Sequence, residues 1–250
     1  MSSPAGNRPG GPNDTAMRVL AVGAHPDDLE ILCGGTLSRF AAEGHEVTMC
    51  HATRGDAGSF DRSAEEIGTV RGGEARRAAA VAGARHATLG LSDGDVFASD
   101  PGHRRAAIEL MREARPDLVI THHPGDYMAD HNEVSKLVFD ASFLATLPLL
   151  ETGTPHHTTV PPLYYMETIS GLGFAPAEFV DITGALETKV EMLEAHASQL
   201  QWLRAHDDVD IVDQVRTTAR FRGQQCGVAY AEAFAPCLTW LRASTRRLLP

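Results

Sequence analysis

One pattern constrains this chain more than any other. Four strand-length runs each break abruptly into polar residues, and a helical stretch lies between each pair. The runs are 18-RVLAVGA-24, 46-EVTMCHAT-53, 86-HATLGL-91 and 117-DLVITHH-123. The first is continuously apolar, as a strand buried on both faces must be, and the fourth reads the same way. Helical patterns follow over residues 29–44, ending at Gly44, and over 64–82, with Gly83 as C-cap. A third covers 103–115 and is stopped by Pro116; a fourth runs from near Asp130 to about Thr146. Strands alternating with helices imply right-handed βαβ units and a mainly parallel sheet covered on both faces. No internal repeat interrupts the pattern.

The chain changes character after Leu147. Residues 147–162 carry four prolines, and a loop this long is functional or mobile. A strand-like 163-LYYMET-168, the Gly-containing 170-SGLGFAP-176, a strand 178-EFVDI-182 and a helix over about 183–201 come next. Residues 205–215 are acidic and expected to be exposed, and the apolar stretch 226–240 is expected to dock on the body. Residues 1–16 are rich in Pro and Gly with no apolar core, which reads as a disordered tail and not a signal peptide. That leaves residues 17–250 as a single domain, a size that supports one sizeable core at 43% hydrophobic content.

Charge and cysteine usage narrow the function classes. A formal net charge of -11 argues against the basic face of a nucleic-acid binder and against attraction to an anionic membrane. No apolar run approaches the roughly 18 residues of a membrane span. Four cysteines without CxxC spacing read as reduced, mostly buried thiols, as expected for a cytoplasmic protein. Whether the chain forms a homo-oligomer is left open.

Chemistry gathers where the strands end. The four runs lead into 25-HPDD-28, 53-TRGDAGS-59, 92-SDGD-95 and 122-HHPGD-126. In an open parallel sheet, ligands bind outside the carboxyl ends of the strands, so four distant segments should share one rim. His25 and Asp28, three apart at a helix entry, can aim an imidazole and a carboxylate at one point. One further ligand would complete a catalytic zinc arrangement with an open position. Asp27 between them reads either as an outer carboxylate or as a base, and the competing explanation is that both aspartates only cap the helix. His131 is the natural third ligand, with Asp130 able to orient a histidine or hold a water. His122 reads as a polar strand end, His123 stands nearer the cluster, and Asp126 suits a tight turn.

Several of these segments together resemble the LmbE/PIG-L family of zinc-dependent N-deacetylases. They are 24-AHPDDLE-30, 53-TRGDAG-58, 71-RGGE-74, 92-SDG-94 and 122-HHPGDYMADH-131, supported by 196-HASQ-199 and 229-AYAEAF-234. The likeness spans roughly residues 17–235. It implies an α/β, Rossmann-like three-layer fold with a mainly parallel sheet and helices on both faces. It also implies one zinc ion held by His25, Asp28 and His131, with Asp27 as general base. Arg71 and Asp93 would contact the hydroxyls of a small N-acylated amino sugar or glycoconjugate. Without the resemblance, Arg71 would read as a surface ion pair with Glu74.

The sequence departs from the family at one place. Many members carry a histidine three residues before the ligand of the DH pair, where this chain has Met128. A thioether has no proton to give and accepts hydrogen bonds only weakly. Either Asp27 acts as both base and acid, or His123, Tyr127, His156 or His157 supplies the help, or activity is weakened. Residues 147–175 are expected to form the substrate-loop region, with Tyr127 and Met128 beside the substrate. Zinc-dependent hydration of a small unsaturated dicarboxylate on the same fold is the alternative reading.

Overall fold

The computed structural model describes residues 16–250; the tail expected at the N-terminus lies outside the described residues except for Ala16. The four runs form β1 (Arg18–Gly23), β2 (Glu46–Thr53), β3 (Arg85–Leu91) and β4 (Leu118–Thr121). They alternate with α1 (Asp28–Ala42), α2 (Ala64–Val81), α3 (Pro101–Ala114) and α4 (Ala129–Leu144). The remainder supplies β5 (Leu163–Met166), β6 (Glu178–Asp181), α5 (Leu186–Glu194), α6 (Ala197–Asp207), α7 (Ile211–Cys226) and β7 (Ala231–Pro236). The sheet order is β3-β2-β1-β4-β5-β7-β6. Neighbours from β3 to β5 are parallel, and β7 runs antiparallel to both β5 and β6.

Strand alternation sorts the core into two layers. Val19, Ala21, Val47, Met49, Leu118 and Ile120 face α1, α2, α5 and α7. Leu20, Val22, Cys50 and Val119 face α3 and α4. Successive side chains of a strand point to opposite faces, so one short apolar run serves both layers. Each fully buried Leu or Ile contributes roughly 1.5–3 kcal/mol relative to exposure. No helix of the described residues is long and apolar enough to cross a membrane.

The second half differs from the sequence expectation in three ways. The helix expected over 183–201 is two helices, α5 and α6, because His196 leaves helical geometry (φ -87°, ψ 52°) and buries its ring 3.2 Å from Glu30. The acidic stretch 205–215 already contains the start of α7. Asp210 caps it by accepting the Asp213 N–H (3.1 Å), and Ile211, Val215 and Ala219 carry a buried stripe that the surrounding charge obscures. Residues 231–236 are a strand inserted between β5 and β6, a pairing between segments far apart in sequence.

The proline-rich loop is fastened away from the rim. Arg112 of α3 donates to the carbonyls of Ala145, Leu147 and Thr154. His157 is buried with Nε2 3.1 Å from the Pro116 carbonyl, just before β4 begins. That is the end of the sheet opposite to the strand carboxyl ends. Within 147–175, it is the part following β5 that reaches the rim, where Phe174 meets the His123 ring at 5.4 Å. β1 and β4 are neighbours whose outgoing connections diverge, so the crevice of an open α/β sheet opens between their carboxyl ends.

A buried ion pair ties the late strand to this frame. Glu232 of β7 accepts hydrogen bonds from the Gly35 and Thr36 N–H groups of α1 (2.9 and 2.7 Å) and from Thr36 Oγ1 (2.6 Å), and it contacts Lys189 of α5. Glu232→Ala should lower unfolding stability by about 3–5 kcal/mol, because it leaves the Lys189 charge buried and unpaired. Urea denaturation followed by circular dichroism checks this.

Candidate active site

Asp28 is the centre of the rim. It opens α1, is 3% exposed, and lies within contact of three imidazoles. Its Oδ2 accepts the His25 N–H at 2.7 Å and stands 3.4 Å from His25 Nδ1 and 3.2 Å from His122 Nε2. Its Oδ1 stands 3.2 Å from His131 Nε2. Burial alone would raise the Asp28 carboxyl, but His131 and His122 hold it well below the usual carboxylate range.

Both histidines expected as ligands have an outer carboxylate. His25 Nε2 meets Asp130 Oδ2 at 3.1 Å, and Asp130 is itself fixed by the Gly94 N–H (2.7 Å). A proton on Nε2 leaves Nδ1 free on the Asp28 side, a tautomer assigned from the hydrogen-bond network. His131 Nδ1 stands 3.1 Å from Asp126 Oδ2. Burial would depress both imidazoles, yet the carboxylates outweigh it. Asp130 and Asp28 raise His25 to about 10, and Asp28 and Asp126 raise His131 to about 9.

The donor set fits a divalent metal. Ligand atoms of His25, Asp28 and His131 lie within 4.8 Å of one another. His131 Nε2 is buried without a hydrogen-bond partner of good geometry. Such atoms are rare, and this one lies among the donor atoms of His25 and Asp28, where its lone pair suits a cation. Two imidazoles and one carboxylate with rim access match a catalytic zinc site. A second grouping, His122, Asp126 and His131, is fully buried. In it His122 Nε2 already accepts the Ala24 N–H (2.9 Å), and the ring stacks on His131 at 3.8 Å. Burial and the His131 charge hold His122 down at about 4, so it is a neutral wall behind the ligand.

Asp27 stands beside the donor set under backbone strain. It occupies the N-cap position of α1 at φ 116°, and its side chain makes no capping hydrogen bond. The capping explanation therefore does not hold for it. Burial pushes its carboxyl up to about 6 against the pull of Arg71. Arg71 Nη2 lies 3.6 Å from Asp27 Oδ2 and donates to the Pro26 carbonyl at 2.6 Å, while Nη1 lies 3.9 Å from Asp93 Oδ2. Glu74 is bonded instead to Ser198, through its N–H (3.0 Å) and Oγ (2.6 Å), so the surface pair with Arg71 does not form. Asp93 accepts from the Gly55 and Ala57 N–H groups, both at 3.1 Å, and its own N–H donates to Asp56 (2.9 Å). These bonds staple the loops after β2 and β3. Gly55 is required there: it sits at φ 70°, and a Cβ would come 2.5 Å from Arg71 Nε.

The other expected residues separate. His123 is half-buried on the rim between Tyr165 and Phe174, with Nδ1 accepting the Gly125 N–H at 3.1 Å. Tyr127 is 66% exposed. Met128 is half-buried as the N-cap residue of α4, and its carbonyl accepts from Asn132 Nδ2 at 3.1 Å. His156 is exposed and His157 lies at the far end of the sheet, so neither stands in for the missing histidine. The sequence reading gave Asp126 only a turn role and His122 only that of a polar strand end, and it assigned Asp56 no role of its own. Asp126 is read as a turn former and does hold the Met128 N–H (3.0 Å), but its other oxygen faces His131. Only its place five residues before His131 hinted at that.

The PIG-L family profile, GlcNAc-PI de-N-acetylase, matches residues 20–142. The 1D-myo-inositol 2-acetamido-2-deoxy-alpha-D-glucopyranoside deacetylase of Mycobacteroides abscessus is 30% identical, covering 74% of this chain and 82% of the relative. This chain belongs to the PIG-L/LmbE deacetylase family. The solved structure of the N,N'-diacetylchitobiose deacetylase of Pyrococcus horikoshii superposes with a TM-score of 0.77 at 26% identity, over 90% of this chain and 85% of that one. The 4-carboxy-2-hydroxymuconate hydratase of Pseudomonas putida gives a TM-score of 0.78 at 21% identity, over 93% of this chain and all of that one. That likeness is one of fold.

Outer carboxylates orient ligand histidines, and their loss typically weakens metal affinity 10–100-fold. Asp130→Asn and Asp126→Asn should each weaken zinc binding by about that factor, measured by competition with a chromogenic chelator. His25→Ala and His131→Ala should abolish stoichiometric zinc binding.

Proposed function

We propose that this protein is a zinc-dependent deacetylase that hydrolyses the acetamide of an N-acetylated amino sugar or its glycoconjugate. The observation that carries the reading is the His25–Asp28–His131 donor set with the buried Asp27 carboxylate, paired to Arg71, beside it. The activity of the Mycobacteroides and Pyrococcus relatives supports the choice of an amide over a diene substrate. One zinc ion held by the three residues would supply Lewis acidity, acidifying water and polarising the amide carbonyl.

The protein's own residues do the rest. Asp27 takes a proton from the attacking water and returns it to the departing amine, so the balance is amide plus water giving acetate plus amine. A carboxyl raised to about 6 suits both roles near neutral pH. Asp130 and Asp126 fix the ligand rings. Arg71 holds Asp27 and, with Asp93, faces the sugar hydroxyls. His123, kept neutral by burial and with Nδ1 engaged as acceptor, offers Nε2–H as a hydrogen-bond donor. It is thereby the residue that compensates for Met128 in stabilising the carbonyl oxygen as charge develops. Tyr127 and Met128 border the substrate.

Acetate release from N-acetylglucosamine conjugates should stop when zinc is chelated and return on its addition. Asp27→Asn should lower kcat about 10²–10⁴-fold while zinc content is retained. Loss of conjugated-diene absorbance from an unsaturated dicarboxylate, without amine release, would instead establish a hydratase. Met128→His should change the rate or the pH profile of deacetylation at unchanged zinc content. An unchanged profile would show that this position carries no proton here.

A further inference from the structure

The segment 196-HASQ-199 lies outside the metal site, where the chain leaves α5 and enters α6. Its first polar side chain is tied to α1. His196 is fully buried, and its Nε2 stands 3.2 Å from Glu30 Oε1. The other oxygen of Glu30 stands 3.3 Å from His51 Nε2 of β2. Glu30 has no access to water, so its charge depends on these two imidazoles. It occupies the third helical position after Asp27, from which a carboxylate can reach back to the N-cap N–H. Its oxygens face His196 and His51 instead.

Ser198 ties the same segment to α2. Its N–H and Oγ both donate to Glu74, at 3.0 and 2.6 Å, and Glu74 is buried. Hydrogen bonds to a carboxylate are roughly twice as strong as those between neutral groups. Arg71 sits one turn before Glu74 on that helix. Gln199 stands on the Arg71 side as well. A Cβ placed on Gly58 would lie 3.4 Å from Gln199 Oε1 and 3.6 Å from Arg71 Nη1, so amide and guanidinium flank the same glycine.

The segment therefore grips the two helices that bring Asp27 and Arg71 together. Arg71 Nη2 lies 3.6 Å from Asp27 Oδ2, wider than a hydrogen bond. Their spacing is set by how α1 and α2 are placed, not by a direct bond between them. His196 is near enough to feel both. Burial would depress it, but Glu30 and, behind it, Asp27 raise it, while Arg71 opposes them. Asp27 at φ 116° is also a residue whose conformation needs support from its surroundings.

We propose that the 196–199 segment is a clasp that sets the spacing of Asp27 and Arg71, with His196 and Ser198 as positioning residues at its two ends. Its part in catalysis rests on the deacetylase reading. His196→Ala strips a buried charge of its partner, so the milder Ser198 variants carry the decision. The test uses zinc-loaded Ser198→Ala, which removes one donor to Glu74 and touches no residue of the metal site. Misplacing a catalytic group by 1 Å costs up to about 10²-fold, so kcat on N-acetylglucosamine conjugates should fall about 10- to 100-fold. KM and zinc content should be unchanged. Ser198→Thr keeps the hydroxyl and should restore most of the rate. A lowered melting temperature with kcat unchanged would make the segment a structural tie only and overturn the proposal. A rise in KM alone, or loss of zinc in step with the rate, would overturn it too.

A crystal structure of Ser198→Ala separates this inference from the activity. The Arg71–Asp27 separation should depart from 3.6 Å while His25, Asp28 and His131 stay in place. That displacement, in a protein whose wild type releases no amine, would keep the clasp and remove the deacetylase reading. An unchanged separation would remove the clasp, whatever the activity.

Discussion

The structure depends on keeping one carboxylate ionised inside the protein. Asp28 is nearly inaccessible, and burying a charge that far from water is strongly unfavourable unless it is matched by partners. The match comes from three places in the chain: the turn at His25, through its ring and its backbone N–H, the end of β4 at His122, and the first turn of α4 at His131. The sheet order is what brings them together, since β1 and β4 are neighbours and both deliver their carboxyl ends to the same crevice. Two apolar core layers hold that geometry on either side. The same convergence of lone pairs suits a divalent cation.

Strain and burial also set Asp27 apart from its neighbour. The two aspartates are adjacent, yet one is held well below the normal carboxylate range and the other is raised to about 6. Asp28 faces imidazoles; Asp27 is turned by its positive φ towards Arg71, with no capping hydrogen bond. A non-glycine residue in that conformation costs about 1–3 kcal/mol and persists only where its surroundings over-determine it. Here the Ile31 N–H bonded to the Asp27 carbonyl (2.9 Å) and the Arg71 guanidinium bonded to the Pro26 carbonyl do so. Two identical side chains thereby acquire two different chemical characters, one suited to binding and one to moving protons.

The sequence disclosed those parts of the molecule that are local. The first four strands are legible because each apolar run is short and bounded, and the rim residues because they follow those runs directly. His196 breaking a helix, or Ala231–Pro236 forming a strand between β5 and β6, depends on partners distant in the chain. α7 was hidden by charge, since Asp207, Asp208, Asp210 and Asp213 surround its buried stripe. Within the site, the HPDD and DH spacing carries the donor set, but the second role of Asp126 does not show in its turn-forming identity. Met128 remains the residue whose identity is best seen against relatives: its backbone caps α4 like any residue would, and only its missing imidazole carries information.

The central claim is that His25, Asp28 and His131 form the metal site, not the fully buried alternative of His122, Asp126 and His131. Anomalous diffraction at the zinc absorption edge, from crystals of the zinc-loaded protein, decides it most directly. The account predicts one strong peak about 2.0–2.2 Å from a ring nitrogen of His25, a ring nitrogen of His131 and a carboxylate oxygen of Asp28. A peak bounded by His122 and Asp126, or no peak near Asp28 in protein with zinc at saturation, would contradict it.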